Sequence, residues 1–157
     1  MFLYEYKMER GIAMDSRVES YFEDIKGKKI AFLGIGGSNL PLAKIFRQKG
    51  AIVFACDKRE KEQLGKTGEE LEQMGITLKL GEHYLEQLDV DMMFRTPGMR
   101  FHTKELEQAR EKGIVVTSEM EVFFDLCPCP IYAVTGSDGK TTTTTIISEF
   151  LKAAGKR

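Results

Sequence analysis

Short apolar runs alternate with charged amphipathic segments through most of the chain, and a glycine commonly separates a segment from the next run. Glycine readily adopts the left-handed conformation that ends a helix. Strands that are continuously apolar are typical of a parallel sheet covered by helices on both faces. The pattern therefore predicts an α/β fold, a Rossmann-like and mostly parallel sheet between two helical layers. The predicted strands are Ile30–Leu33, Ala51–Ala55, Ile76–Leu78, Asp91–Phe94 and Ile114–Val116.

Helix boundaries can also be predicted from the sequence. Thr67–Glu70 and Ser118–Glu121 both place a glutamate three residues after a hydroxyl side chain. This spacing is the capping box, in which the two side chains satisfy the first amides of a helix. Further helices are expected to start near Asp15, to end near Gln48, and to cover Lys104–Glu111.

A proline-rich connector interrupts this pattern at Cys127-Pro128-Cys129-Pro130, because proline cannot continue a helix. We expect a domain boundary there. Residues 14–127 would form the first domain and residues 128–157 the start of a second. Residues 1–13 would be an N-terminal extension, with Met14 as the natural initiator.

The segment after the connector predicts one strand, Ile131–Val134, then a glycine loop and one helix. The helix carries an apolar stripe made of Ile146, Ile147, Phe150 and Leu151. A single strand–helix unit cannot bury both faces of its strand, so it is interpreted as the truncated beginning of a larger domain. Open sheet edges favour pairing, and a homodimer through this unit is one expectation.

Composition narrows the functional classes. The 157 residues carry 23 basic and 24 acidic side chains and a net charge of −1, which predicts neither a nucleic-acid partner nor an anionic membrane partner. No apolar run approaches the length of a membrane span, and the start has no signal-peptide core, so a cytoplasmic location is expected. Three cysteines without zinc spacing indicate reduced thiols.

The first candidate site is the loop Gly34-Ile35-Gly36-Gly37-Ser38-Asn39, which directly follows one predicted strand and precedes a helix. Glycines let the backbone turn sharply and approach a phosphate, and the helix N-terminus offers amides and partial positive charge. The spacing departs from the dinucleotide pattern, because Asn39 replaces the third glycine. This loop alone does not discriminate between NAD and a uridine nucleotide.

The second candidate is Asp57-Lys58-Arg59, at the end of the second predicted strand. An acid at this place usually accepts hydrogen bonds from a ribose or a base. The neighbouring cations could neutralise phosphate or stack on a ring. A solvated charged loop is the alternative, since Glu60, Lys61 and Glu62 continue the charge run.

The third candidate is Thr135–Thr142, which reads T-G-S-D-G-K-T-T between a predicted strand and a helix. The backbone amides of such a loop cradle phosphate oxygens, and Lys140 supplies a charge for the β- and γ-phosphates of ATP. The Thr141 hydroxyl can coordinate Mg²⁺. A standard Walker A sequence would require glycine where Val134 stands.

The combination of these loops with Thr96-Pro97-Gly98, Ser118–Glu121 and Ala133–Thr142 resembles the Mur ligase family, over roughly Ser16 to the end. Within the family, the likeness is strongest to the members that add D-glutamate to UDP-N-acetylmuramoyl-L-alanine. The resemblance implies a first domain that binds the UDP moiety, a central ATPase domain and a C-terminal domain. This chain would contain the first domain and the opening of the second.

The resemblance implies specific binding positions. Gly37 and Ser38 match main-chain contacts to the diphosphate, Asp57 and Arg59 match contacts to the uracil end, and Gly98 lies near the nucleotide. The full UDP-binding set is Gly34, Gly36, Gly37, Ser38, Asn39, Asp57, Lys58, Arg59, Thr96 and Gly98. The ATP-binding set is Gly136, Ser137, Asp138, Gly139, Lys140, Thr141 and Thr142, with Lys140 catalytic and Thr141 binding metal. Asp138 stands where many members carry asparagine.

The implied reaction belongs to peptidoglycan synthesis and uses ATP and Mg²⁺. ATP phosphorylates the substrate carboxylate, and the amine of D-glutamate attacks the acyl phosphate to give an amide, ADP and phosphate. The remaining metal ligands are expected in the central domain beyond Arg157. We therefore expect this chain alone to bind UDP-sugar weakly, to bind ATP poorly or not at all, and to catalyse no ligation.

Three alternatives stay open at the sequence level. A sibling ligase could add another amino acid or act on folate or a polymer. An NAD-binding regulatory Rossmann module would have no ligase role, although the loop around Lys140 argues against it. A non-enzymatic fragment could pair with another copy through its unfinished sheet.

Overall fold

The computed structural model describes residues 16–156, which fall into two compact units divided between Leu126 and Cys127. This division lies one residue before the predicted boundary. The predicted extension, residues 1–13, and Met14 lie outside the described residues. None of the described helices is both long and apolar enough to cross a lipid bilayer.

The first unit is a parallel sheet with helices on both faces, as predicted. The strands are β1 Lys29–Leu33, β2 Ile52–Asp57, β3 Thr77–Leu80, β4 Met92–Arg95 and β5 Val115–Ser118. The helices are α1 Ser16–Asp24, α2 Asn39–Gln48, α3 Lys61–Leu64, α4 Lys66–Gln73, α5 Lys104–Glu111 and α6 Glu119–Leu126. Every neighbouring pair of strands is parallel, and their order is β3-β2-β1-β4-β5.

Alternate residues of the central strand β1 pack into two separate hydrophobic cores. Ile30 and Phe32 of β1 pack in one core with residues of α2 and α4, whereas Ala31 and Leu33 pack in the other with Leu106 of α5. These four side chains are fully buried, whereas Lys29, the first residue of β1, is not. The continuous apolar run therefore follows from burial on both faces, as the sequence pattern predicted.

Three phenylalanines fix α2 against the sheet. Phe32 and Phe94 are paired in neighbouring strands and stack with ring centroids 4.8 Å apart. Phe46 of α2 meets them edge-on, with centroid distances of 5.4 Å and 5.1 Å. Such aromatic contacts stabilise packing beyond the area they bury. They hold the helix that begins directly after the glycine loop.

One predicted capping box is absent, the other forms only in part, and one helix was missed. Thr67 lies inside α4, whose N-cap is Gly65, so Thr67–Glu70 is not a capping box. The short helix α3 precedes it, and there Glu60 and Gln63 form the box instead. At Ser118–Glu121 only half of the predicted box forms: the Ser118 hydroxyl accepts from the Glu121 amide at 3.4 Å, but the Glu121 carboxylate accepts from the Ser118 hydroxyl at 2.7 Å and not from the Ser118 amide.

The second unit contains helix α7, Lys140–Ala153, and a non-regular segment before it. The predicted strand Ile131–Val134 does not form, because its own unit offers no neighbouring strand to receive its hydrogen bonds. Tyr132 is 89% exposed and Phe150 is 72% exposed. The Sγ atoms of Cys127 and Cys129 lie 3.4 Å apart.

Candidate functional site

The candidate site of the first unit lies along the carboxyl edge of its sheet. One row of paired residues crosses the sheet there: Cys56 of β2, Leu33 of β1, Arg95 of β4 and Ser118 of β5. Strands β1, β4 and β5 end at this row, β2 ends one residue later at Asp57, and the loops that carry Gly34 and Thr96 follow directly. The strand order reverses between β1 and β4, and open α/β sheets bind ligands in the crevice at such a reversal.

Gly34 shows how closely two of these loops approach. Its φ is +87°, a conformation that side chains rarely adopt, and a Cβ there would lie 2.9 Å from Cγ2 of Thr96. Only glycine therefore fits between the ends of β1 and β4. The contact fixes the glycine loop relative to Thr96-Pro97-Gly98.

Asn39 acts inside the protein. Its side chain is fully buried, and Nδ2 donates to the carbonyls of Leu33 (3.1 Å), Gly34 (3.1 Å) and Phe94 (3.3 Å). These carbonyls belong to the ends of β1 and β4, so Asn39 joins both strands below the loop. Its Oδ1 is buried without a partner among the described residues. A role for Asn39 in binding would consequently be one of positioning.

The rest of the glycine loop faces outward. Gly36 and Gly37 are exposed, and a Cβ on either would meet no atom within 4 Å. Ser38 is the N-cap residue of α2, but its hydroxyl makes no cap hydrogen bond. Backbone groups and a hydroxyl are thus presented at the N-terminus of a ten-residue helix, an arrangement suited to an anion.

Asp57 and Arg59 form a clamp over the loop. Asp57 is only 5% exposed and accepts hydrogen bonds from the Ile35 amide at 2.7 Å and from Arg59 through its amide (3.0 Å), Nε (2.9 Å) and Nη2 (2.8 Å). Nη2 of Arg59 also donates to the Ile35 carbonyl at 2.8 Å. The guanidinium therefore lies beside the glycine loop, while Lys58 points to solvent.

The charge state of Asp57 follows from these contacts. Burial is the largest single influence on its pKa and raises it, but the hydrogen bonds from Arg59 and Ile35 together outweigh burial. They lower the pKa of Asp57 from 3.8 to about 2. The same contact raises the pKa of Arg59. Both groups are ionised near neutral pH.

Sequence reasoning missed Arg95, the last residue of β4. A cation that ends an apolar strand, M-M-F-R, was the available signal. Arg95 lines a cleft of about 230 Å³ together with Pro97, Ser118, Glu119 and Met120. A larger cleft of about 290 Å³ lies between residues 85–88 and α5. It is lined by segments that precede β4 and β5, at the edge where such sheets rarely bind ligands.

The loop of the second unit is folded around its lysine. Gly139 adopts a left-handed conformation (φ 74°) at the start of α7. Nζ of Lys140 donates back to the carbonyls of Gly136 at 2.5 Å and Ser137 at 3.1 Å. The ammonium group therefore lies over the loop that the sequence predicts to hold phosphates, and Thr141 and Thr142 are exposed beside it.

Metal ligands are sparse within the described residues. Residues 16–156 contain no group of three histidine, cysteine, aspartate or glutamate side chains arranged to hold an ion. His83 and His102 are exposed, and each contacts one glutamate. The predicted role of Thr141 as a metal ligand stays a prediction.

This parallel sheet between two helical layers, with a glycine loop at the reversal of strand order, defines a Rossmann-like α/β domain. A family model, the N-terminal domain of MurD-like Mur ligases, matches residues 28–118. The chain belongs to this family, which confirms the resemblance inferred from its motifs.

Individual relatives agree with this assignment. The chain is 48% identical over 145 residues to a UDP-N-acetylmuramoylalanine–D-glutamate ligase of Clostridium botulinum, covering 92% of this chain and 32% of that protein. It is 50% identical over 143 residues to the ligase of the same name from Acetivibrio thermocellus, covering 90% and 31%. The chain thus spans about a third of the length of these curated relatives.

Two solved structures share the fold. A murein peptide ligase of Psychrobacter arcticus matches with a TM-score of 0.52 and 29% identity, over 82% of this chain and 27% of that one. The UDP-N-acetylmuramate–alanine ligase of Thermotoga maritima matches with a TM-score of 0.50 and 29% identity, over 80% and 29%.

Proposed function

We propose that this chain is the N-terminal part of an ATP-dependent ligase that adds D-glutamate to UDP-N-acetylmuramoyl-L-alanine in peptidoglycan synthesis. The observation that carries the proposal is the Asp57–Arg59 clamp beside an open glycine loop at the carboxyl edge of the sheet. Identity of 48–50% to proteins named for this reaction supports the choice of amino acid.

The first unit would bind the UDP moiety. The exposed face of Arg59, held by Asp57, is suited to stacking on a flat ring such as uracil. Gly36, Gly37 and Ser38 would receive the diphosphate through backbone groups. Gly98 is exposed and open like Gly36, and would approach the nucleotide from the β4 side.

Asp57 also argues against the NAD-binding alternative. An NAD site of this fold uses an acid after the second strand to accept the ribose hydroxyls. Here both Asp57 oxygens already accept hydrogen bonds from Ile35 and Arg59, and the side chain is buried. A ribose would have to displace a charge-assisted contact, which is stronger than an ordinary hydrogen bond.

The loop around Lys140 would hold the triphosphate of ATP. The left-handed Gly139 turns the chain into the start of α7, and the Lys140 ammonium already points into the loop. ATP would supply the phosphoryl group that activates the substrate carboxylate. Lys140 would hold negative charge on the phosphate oxygens, and Thr141 would offer one hydroxyl to Mg²⁺. Further metal ligands would come from outside the described residues.

A sibling ligase is the alternative that the two solved structures keep open, because both belong to other ligases of muramoyl substrates or murein peptides. Their identity to this chain is 29%, against 48–50% for the D-glutamate ligases. We therefore favour D-glutamate. Comparing D-glutamate with L-alanine as acceptor, in an enzyme that carries this chain as its N-terminal part, tests the choice.

Calorimetric titration of the whole chain tests the UDP site. We expect UDP-N-acetylmuramoyl-L-alanine and UDP to bind, and NAD not to bind. The Arg59→Lys variant keeps the charge beside Asp57 but loses the flat guanidinium, so uridine and UDP should both bind more weakly. Arg110→Ala is the matched control, because Arg110 donates to the Phe101 carbonyl and not to the Asp57–Arg59 clamp. Binding of NAD with no response to uridine nucleotides would contradict the proposal.

Activity and assembly are tested separately. We expect the chain alone to form no amide from UDP-N-acetylmuramoyl-L-alanine, D-glutamate and ATP, because its described residues hold no complete metal site. Measurable ligase turnover by the purified chain would contradict this. Light scattering tests the predicted homodimer through the second unit, whose Phe150 and Tyr132 are largely exposed.

A further inference from the structure

Arg95 is a confined cation whose donors are largely unused. Its side chain is 17% exposed, and its Nε is buried without a hydrogen-bond partner among the described residues. A guanidinium carries five N–H donors in a rigid fork that matches phosphate oxygens. A buried donor that stays unpaired is costly and calls for an explanation such as a ligand.

The neighbours of Arg95 orient it without saturating it. Nη2 lies 3.8 Å from Oε1 of Glu121, which is longer than a hydrogen bond. The other oxygen of Glu121 accepts from the Ser118 hydroxyl at 2.7 Å. The guanidinium carbon also lies 5.2 Å from the centre of the Phe101 ring. These contacts hold the group in place and leave N–H donors for something else.

The position of Arg95 along the sheet edge indicates which part of a ligand it would meet. Arg95 pairs with Leu33, the residue before the glycine loop, and with Ser118 on its other side. Neighbouring strands lie about 4.8 Å apart. Arg95 is therefore one strand beyond the glycine loop and two strands, roughly 10 Å, from the strand that ends in Asp57.

We propose that Arg95 binds the sugar-side phosphate of the UDP-linked substrate, the second phosphate counted from uridine. The inference rests on the proposed function, in which uridine lies at the end of β2 and the first phosphate over the glycine loop after β1. A ligand that continues in this direction reaches β4 and the cleft of about 230 Å³ that Arg95 lines. The cleft then receives the start of the sugar.

Titration of the whole chain with uridine, UMP and UDP at one ionic strength tests the proposal. We expect Arg95→Gln to weaken UDP binding about tenfold or more, as for loss of a charge-assisted hydrogen bond, and to change uridine and UMP binding less than about twofold. Arg110→Gln is the matched control. Arg110 also stacks on Phe101, at 4.4 Å, but its Nη1 and Nη2 both donate to the Phe101 carbonyl at 3.2 Å.

Each outcome decides one point. The proposal is overturned if Arg95→Gln binds UDP as tightly as the wild type, or if it loses the same affinity for uridine, UMP and UDP. An equal loss of affinity for UMP and UDP, with uridine unchanged, overturns the assignment to the second phosphate. If Arg95→Gln does not fold, the affinities of Arg95→Lys for UDP and UMP are compared in the same way, since lysine keeps the positive charge but lacks the planar guanidinium. A wild-type chain that binds none of the three ligands overturns the proposed function as well.

Discussion

The change Asp57→Asn removes the negative charge of the Asp57–Arg59 clamp while keeping the size of the residue 57 side chain. Lowering the pKa of Asp57 from 3.8 to about 2 corresponds to roughly 2.4 kcal/mol of folding stability, at 1.36 kcal/mol per pH unit. Its partner Arg59 is 42% exposed, so solvent screening reduces this figure. We expect Asp57→Asn to lower the free energy of unfolding by about 1–2 kcal/mol at neutral pH.

The effect should depend on pH in a defined direction. The folded state favours the ionised carboxylate, so its contribution is complete well above pH 3.8 and is lost as pH falls towards about 2. Urea unfolding of both proteins at neutral pH and near pH 3 measures the gap, which should shrink to roughly half. Titration of the Asp57 carboxyl by NMR gives the pKa directly.

Asp89→Asn serves as the matched control. Asp89 forms an ion pair with Lys29 at 2.5 Å, but its side chain is 92% exposed, and exposed pairs contribute little to stability. We expect no resolvable change in its urea midpoint. A gap between wild type and Asp57→Asn that stays constant from neutral pH to about pH 3 would refute the reasoning, because charge would then play no part.

Three further predictions concern single contacts. Gly34→Ala should lower the free energy of unfolding in urea by roughly 2–4 kcal/mol, because Gly34 has a positive φ and the new Cβ would lie 2.9 Å from Thr96. Adding Thr96→Ser removes the methyl group in the way and should recover part of that loss, and no recovery would disprove the clash. Asn39→Ala should cost roughly 2–4 kcal/mol, because three carbonyls lose their donor, and an unchanged unfolding midpoint would contradict this. Cys56 should react with iodoacetamide far more slowly than exposed Cys129, because burial raises the pKa of Cys56 to about 12, and equal rates in timed mass spectra would count against it.

Much of the sheet could be predicted from the sequence, because a strand that is buried on both faces is apolar at consecutive positions. The run Ile30–Leu33 is apolar without interruption, and the structure places it at the centre of the sheet. The glycine loop could also be predicted, because it stands between this apolar run and a helix in the sequence. Strand ends moved by one or two residues, as for Ala51–Ala55, where β2 covers Ile52–Asp57.

Features that depend on distant partners could not be predicted. The inclusion of Asn39 in the UDP-binding set stays a prediction, but its three hydrogen bonds, one of them to Phe94, 55 residues away, could not be predicted from the sequence of the loop. The buried, unpaired Nε of Arg95 and the approach of Glu121 to its Nη2 at 3.8 Å likewise appear only in the folded structure. Ile131–Val134 has the composition of a strand, but a strand also requires a neighbour to accept its hydrogen bonds.

The clamp has a thermodynamic consequence for recognition. Arginine in solution samples many rotamers, and freezing such a side chain on binding costs roughly 0.5–1.5 kcal/mol. In this protein, Asp57 and the Ile35 carbonyl already hold Arg59 in one orientation. That entropy was lost during folding, so under the proposed function a uracil ring would meet a preorganised surface, and affinity would depend on the shape of the base without a rearrangement of Arg59.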